Sequence, residues 1–139
     1  MTQPQATTPY ALGSRYRLTL DDRLTEMLAE ADRAAGKSAM LLQEWLSPEQ
    51  LEQYEMTGKF AVTGSHTKAR YWIADGSKSH NVVRIDPKRK IGTERLCFVP
   101  QGASAPGDVM LAQKIMLETD EPQALKIANR YRVTIDGRW

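Results

Sequence analysis

The sequence holds one cysteine, two histidines and two phenylalanines in 139 residues. A lone Cys97 permits no intrachain disulfide, which fits a reducing compartment and excludes a stapled secreted scaffold. His66, His80 and Cys97 are the only soft ligands, and each stands more than a dozen residues from the next. That spacing offers no closely set ligand group, so no metal site is expected. No apolar run approaches the roughly 18 residues that span a bilayer. The opening MTQPQATTPYALGS lacks the basic start and apolar stretch of a secretory signal and reads as a flexible polar arm over residues 1–14. A cytoplasmic protein without a membrane partner is expected.

Catalytic signatures are equally scarce. There is no Gly-x-Ser-x-Gly elbow and no dinucleotide fingerprint. Gly36-Lys37-Ser38 looks like the end of a phosphate loop, but the motif's first glycine would fall at position 31, which is alanine. Cys97, on the apolar run LCFV, reads as a buried structural thiol. No enzyme activity and no cofactor are expected.

What the chain does carry is local charge. Net charge is only +2, yet residues 59–95 hold nine Lys/Arg against Asp75, Asp86 and Glu94. Lys68, Arg70, Tyr71, Trp72, Arg84, Lys88, Arg89 and Lys90 interleave cations with aromatics. On a sheet that mixture suits single-stranded nucleic acid, through stacking and phosphate neutralisation. Neighbouring strand residues face opposite ways, so only one of Tyr71 and Trp72 can lie outside; the alternative is that Tyr71 or Trp72 is core and that PKRK at 87–90 is simply a solvated turn.

The chain also carries almost the same stretch twice. RYRLTLDDR at 15–23 matches RYRVTIDGR at 130–138 in six of nine positions. The first copy alternates, with Tyr16, Leu18 and Leu20 on one face and Arg15, Arg17 and Thr19 on the other. A helical stripe of Leu24, Leu28, Ala31 and Ala35 follows. Gly36 is expected to end that helix, and Ser38 to cap a second one carrying Leu41, Leu42, Trp45 and Leu46. The second copy follows a helix and starts no such unit, so it is expected to add a strand to the central sheet.

Ser47-Pro48-x-Gln50 signals a further helix, stopped by Gly58. Short β-like runs at 59–63, 69–74, 81–86 and 95–99 are separated by turn formers and read as an antiparallel meander. Asp108 is expected to cap a helix whose stripe is Val109, Ala112, Ile115 and Met116, and Asp120-x-Pro122 restarts another. The fold class is therefore α+β. An N-terminal strand-helix-helix (15–46) precedes a small antiparallel sheet of four to five strands packed with C-terminal helices (47–139).

The stretch from Arg15 to Leu46 resembles the ribbon-helix-helix repressors of the Arc, MetJ and CopG type, on its alternating strand, the acid pair at its end and the Gly-x-Ser turn. That resemblance implies a homodimer whose paired strands enter the major groove of duplex DNA. Arg15, Arg17 and Thr19 would contact bases, and Lys37 and Ser38 a phosphate. The stretch from Leu41 to Arg130, with LSPEQLEQYEMTGKFAVTGSHT and GDVMLAQKIMLETDE, also resembles a group of small bacterial proteins to which no activity attaches. The expected function is a sequence-specific DNA-binding transcriptional regulator. Two other readings stand beside it. One is a non-enzymatic assembly protein, of phage or mobile-element type, that exchanges its end strands between subunits. The other is a single-strand binder acting through the basic sheet.

Overall fold

Thr19 and Asp22 open the first helix by bonding each other's backbone. The Asp22 N–H donates to Thr19 Oγ1 at 3.1 Å and the Thr19 N–H donates to Asp22 Oδ2 at 3.4 Å, a reciprocal cap that satisfies two otherwise orphaned donors. The computed structural model describes residues 19–99, 103 and 105–135. Helix α1 (Leu20–Trp45) is continuous. Then come α2 (Pro48–Thr57), β1 (Phe60–Thr63), β2 (Arg70–Ile73), β3 (Val82–Ile85), β4 (Gly92–Cys97), α3 (Pro106–Thr119), α4 (Glu121–Ile127) and β5 (Asn129–Ile135). The class is α+β, with four helices and a five-stranded antiparallel sheet among the described residues. The chain divides after Ala34 into two compact units.

The expected turn at Gly36-Lys37-Ser38 is absent: those residues lie within one continuous helix rather than at the junction of two. Gly36 is exposed, and no side chain stands within 4 Å of where its Cβ would be. It costs the helix about 1 kcal/mol relative to alanine and does not break it. The tie that holds this stretch helical comes from elsewhere. Ser38 is buried, donates to the Ala35 carbonyl at 3.1 Å and accepts the Gly107 N–H at 3.2 Å.

The middle of the chain folds as its local chemistry dictates. Ser47 and Gln50 form a full capping box with Pro48 in the first turn, and Gly58 ends α2 in the left-handed region at φ 77°. The four expected strands form, although β4 begins at Gly92 and not Arg95. The sheet order is β1-β2-β3-β4-β5, every pair antiparallel. The second RYR copy joins it as expected, with Arg130 beside Leu96 and Tyr131 beside Arg95.

One face of the sheet is the core. Phe60, Val62, Tyr71, Ile73, Val82 and Leu96 pack there against Leu42, Leu46, Met110, Leu117 and Ala124 from the helices. The stripe of α3 is rotated from the expected one. Met110, Leu111, Gln113 and Leu117 are buried with Val109, whereas Ile115 is exposed. Gln113 sits on that stripe because it has a partner. It and Asn81 exchange amide hydrogen bonds at 2.8 and 3.0 Å, and its NH2 also donates to the Phe98 carbonyl at 2.8 Å. A buried amide satisfied this way fixes α3 over the sheet. Ala105, and not Asp108, occupies the cap position of α3, with no side-chain bond.

Candidate nucleic-acid interface

The strand register sorts the remaining sheet residues onto the opposite, outer face. Across the sheet Ala61 pairs with Trp72, Trp72 with Val83, Val83 with Arg95, and Arg95 with Tyr131. Directly paired residues share a face, so one row runs Trp72, Val83, Arg95 and Tyr131, with the buried Val83 between Trp72 and Arg95. Strands lie about 4.8 Å apart, which spreads the two aromatics over roughly 14 Å. Tyr131 is exposed and meets the His80 ring edge-on at 4.8 Å. Arg95 is steadied by a long bond, 3.4 Å, from its guanidinium to the His80 carbonyl. The neighbouring row places Thr63, Arg70 and Ile85 side by side.

Beside these rows runs a groove of about 640 Å³ lined by Lys59, Lys68, Arg70, Trp72, Asp86 and Lys90, among others. Four cations face one carboxylate. Asp86 is held below the ordinary carboxyl range by the backbone N–H groups of Arg89 and Lys88, at 2.9 and 2.8 Å. It stays ionised and offsets one cation only. Arg70 lies 3.7 Å from Glu49, with both side chains largely exposed, a contact of little strength that another anion can replace.

Two of those cations hold an unfavourable backbone. Lys68 has φ 62° and Lys90 has φ 58°, the left-handed region in which glycine or asparagine is preferred over a long side chain. Both end tight turns, where the Lys68 N–H donates to the Gly64 carbonyl at 3.2 Å and the Lys90 N–H to the Asp86 carbonyl at 2.8 Å. A turn needs only the backbone there. Backbone strain of this kind clusters at functional sites; His80, which does not line the groove, takes the same region at φ 54°.

The residues expected from the sequence are partly brought together. Lys68, Arg70, Trp72 and Lys90 converge on the groove; Lys88 and Arg89 are exposed in the turn beside it. Trp72 is half-buried on the outer face, and Tyr71 is the core member of the pair. Arg84 does not belong to the patch. It pairs with Tyr71 in register and so faces inward, where its guanidinium lies 5.7 Å from the Tyr71 ring centre and 3.7 Å from Glu94. Glu94 in turn takes a two-pronged contact from Arg130 at 2.9 to 3.1 Å. Lys59, Arg95 and Tyr131 were not singled out from the sequence, because only the register puts Arg95 and Tyr131 in the row of Trp72 and only the folded groove brings Lys59 to it. Cys97 is half-buried rather than buried.

The expected duplex contacts fare differently. Arg15, Arg17 and the polar arm over residues 1–14 lie outside the described residues. Thr19 is a helix cap and not a strand residue, since its hydroxyl is taken by the Asp22 N–H. Lys37 and Ser38 sit within α1, where backbone N–H groups are bonded along the helix. No helix N-terminus opens there to hold a phosphate.

A second polar cluster invites a catalytic reading but is saturated. Glu121 is fully buried, and its carboxylate accepts from the N–H groups of His66 and Thr67 at 2.9 and 2.7 Å, and from the hydroxyls of Thr67 and Tyr71 at 2.5 Å each. Burial pushes its pKa up, but the Thr67 and Tyr71 hydroxyls and the two backbone N–H groups outweigh that and bring it down to about 2. Burial foremost, and then its bond to the Glu121 carboxylate, raise the Tyr71 phenol well above its ordinary value. Two oxygens with four donors have no lone pair left for a substrate. Glu121 is a clamp on the loop between β1 and β2, and through it a support for Lys68.

Among the described residues no group of three or more His, Cys, Asp or Glu is placed to hold a metal ion, and no helix is long and apolar enough to cross a membrane. No protein-family model, no curated protein and no solved structure matches this chain.

Proposed function

We propose that this protein binds single-stranded nucleic acid across the outer face of its sheet. Trp72 and Tyr131 serve as stacking platforms, and Lys59, Lys68, Arg70 and Lys90 neutralise the phosphates that run along the groove, with Arg95 between the two rings. The observation that carries this reading is the pair of lysines held at positive φ on the rim of a groove that already contains an aromatic side chain. Bases stack on any aromatic face, so binding of this kind tolerates sequence and depends strongly on salt. The duplex-binding regulator remains the competing reading, and it rests on Arg15 and Arg17.

Fluorescence anisotropy with labelled single-stranded and duplex oligonucleotides over a salt series separates the two. Trp72→Ala is expected to weaken single-strand binding by about 5- to 150-fold, the loss of one stacked base. Lys68→Gly and Lys90→Gly are expected to lower affinity and reduce the salt slope by about 0.7 each, while the melting temperature stays level or rises because the backbone strain is relieved. Binding that prefers duplex, follows Arg15 and Arg17 and ignores Trp72 would overturn the proposal.

A further inference from the structure

The N-terminal half of α1 carries an exposed apolar stripe: Leu20 is 80%, Leu24 51%, Met27 66% and Leu28 64% accessible and Ala31 is exposed, and the stripe runs on to Ala35, which is half-buried beside Pro106, Gly107 and Met110. At 100° per residue these six positions fall within one arc of the helix. Reversing the helix about a point between Met27 and Leu28 maps the set onto itself. Leu20 then falls opposite Ala35, Leu24 opposite Ala31 and Met27 opposite Leu28, so that large side chains meet small ones at both ends. An isologous contact needs that self-complementarity.

We propose that two copies of this chain associate through this stripe as an antiparallel helix pair. The flanking charges favour this occupant. Arg23 and Glu30 lie on one flank, and in the reversed register each Glu30 falls opposite position 25 of the other copy, two residues or about 3 Å along the axis from that copy's Arg23. Glu30 already holds Arg33 of its own chain at 2.6 Å, and a carboxylate accepts two cations. The other flank brings Asp21 and Asp32 together, a solvent-exposed repulsion that is weaker than the burial of six apolar side chains from each copy. Over residues 20–34 the helix holds five acids and two arginines, which disfavours an anionic membrane or a nucleic-acid backbone as the occupant. This contact is independent of the sheet face and of the strand pairing implied by the ribbon-helix-helix resemblance.

Light scattering after size-exclusion chromatography of the full chain is expected to give a dimer. Leu24→Glu and Leu28→Glu are expected to give monomers with unchanged circular dichroism. Arg23→Glu and Glu30→Arg should each weaken the dimer, and the two together should restore it. In a Cys97→Ser background, Met27→Cys is expected to cross-link on oxidation and Leu20→Cys not to, whereas a parallel pair would cross-link both. A dimer that survives Leu24→Glu and Leu28→Glu, or efficient cross-linking through Leu20→Cys, overturns the proposal. So does a monomer, including one that dimerises only when residues 1–18 are removed, which would assign the stripe to the chain's own N-terminal segment.

Discussion

Glu121 sets a measurable acid limit on the fold. Its carboxyl titrates near 4.5 when solvated and near 2 in the folded chain. A depressed folded pKa means stability that is complete above pH 4.5 and lost as pH falls toward 2, because the unfolded chain takes up the proton first. The difference corresponds to at most about 3 kcal/mol. Glu121→Gln removes the charge; its amide oxygen can still accept from the His66 and Thr67 N–H groups, but its NH2 then faces the Thr67 and Tyr71 hydroxyls, which lose their acceptor and must turn to accept. The variant should lose a similar amount at pH 7, and its stability should vary less between pH 4.5 and 2. Urea unfolding of both proteins across that range gives the difference directly. Asp75 and Asp86 are also lowered, by contacts from Ser77 and from Arg89 and Lys88, but they contribute equally to both proteins and cancel. Tyr71→Phe removes one of the four donors and should cost about 1.5–3 kcal/mol as a bond to a charged group, with a smaller loss in the Glu121→Gln background. Parallel stability–pH curves for the wild type and Glu121→Gln would refute the clamp.

Gly36→Ala should stabilise the protein by about 0.5–1 kcal/mol, read as a higher thermal midpoint, because α1 is helical there and the site is open; a turn with positive φ would give the opposite sign. Gly107→Ala should destabilise strongly, since a Cβ would run into the Ser38 backbone, and the unfolding midpoint should fall well below that of Gly36→Ala. Gln113→Leu leaves Asn81 and the Phe98 carbonyl without their partner and should cost about 2–4 kcal/mol in urea unfolding, on the order of one to two unsatisfied buried groups.

Local signals were legible where the local chemistry is self-sufficient. Ser47-Pro48-x-Gln50 and Gly58 bound α2 without outside help, and the turn formers place four strands. Gly36 misled because a glycine is both a helix stop and a tolerable helix residue, and the choice was made by Gly107, whose N–H meets Ser38 from a distant part of the sequence. Thr19-x-x-Asp22 was a readable capping box, concealed by the alternation that precedes it. The basic patch was legible as a composition but not as a surface. Alternation alone placed Trp72 and Tyr71 on opposite faces, yet Arg84 could be sorted from Lys90 only once the β2–β3 register set Arg84 opposite Tyr71. Glu121 gave no signal at all, since its partners stand some fifty residues away.

The meander has a consequence for which of its connections can vary. In an up-and-down sheet the β1–β2 and β3–β4 connections emerge at one end, so Lys68 and Lys90 belong to neighbouring tips. The β2–β3 connection emerges at the other, where Gly76 lies against the Pro106 backbone and Asn81 bonds Gln113. The lysine-bearing end is tied on one side too: Glu121 clamps the β1–β2 tip and the Ser65 N–H donates to the Leu117 carbonyl at 2.9 Å, whereas the β3–β4 tip is closed by its own Asp86. Exchange of the β3–β4 tip would therefore leave the helix ties intact, whereas exchange of the β1–β2 tip would remove the Glu121 clamp and its share of the stability.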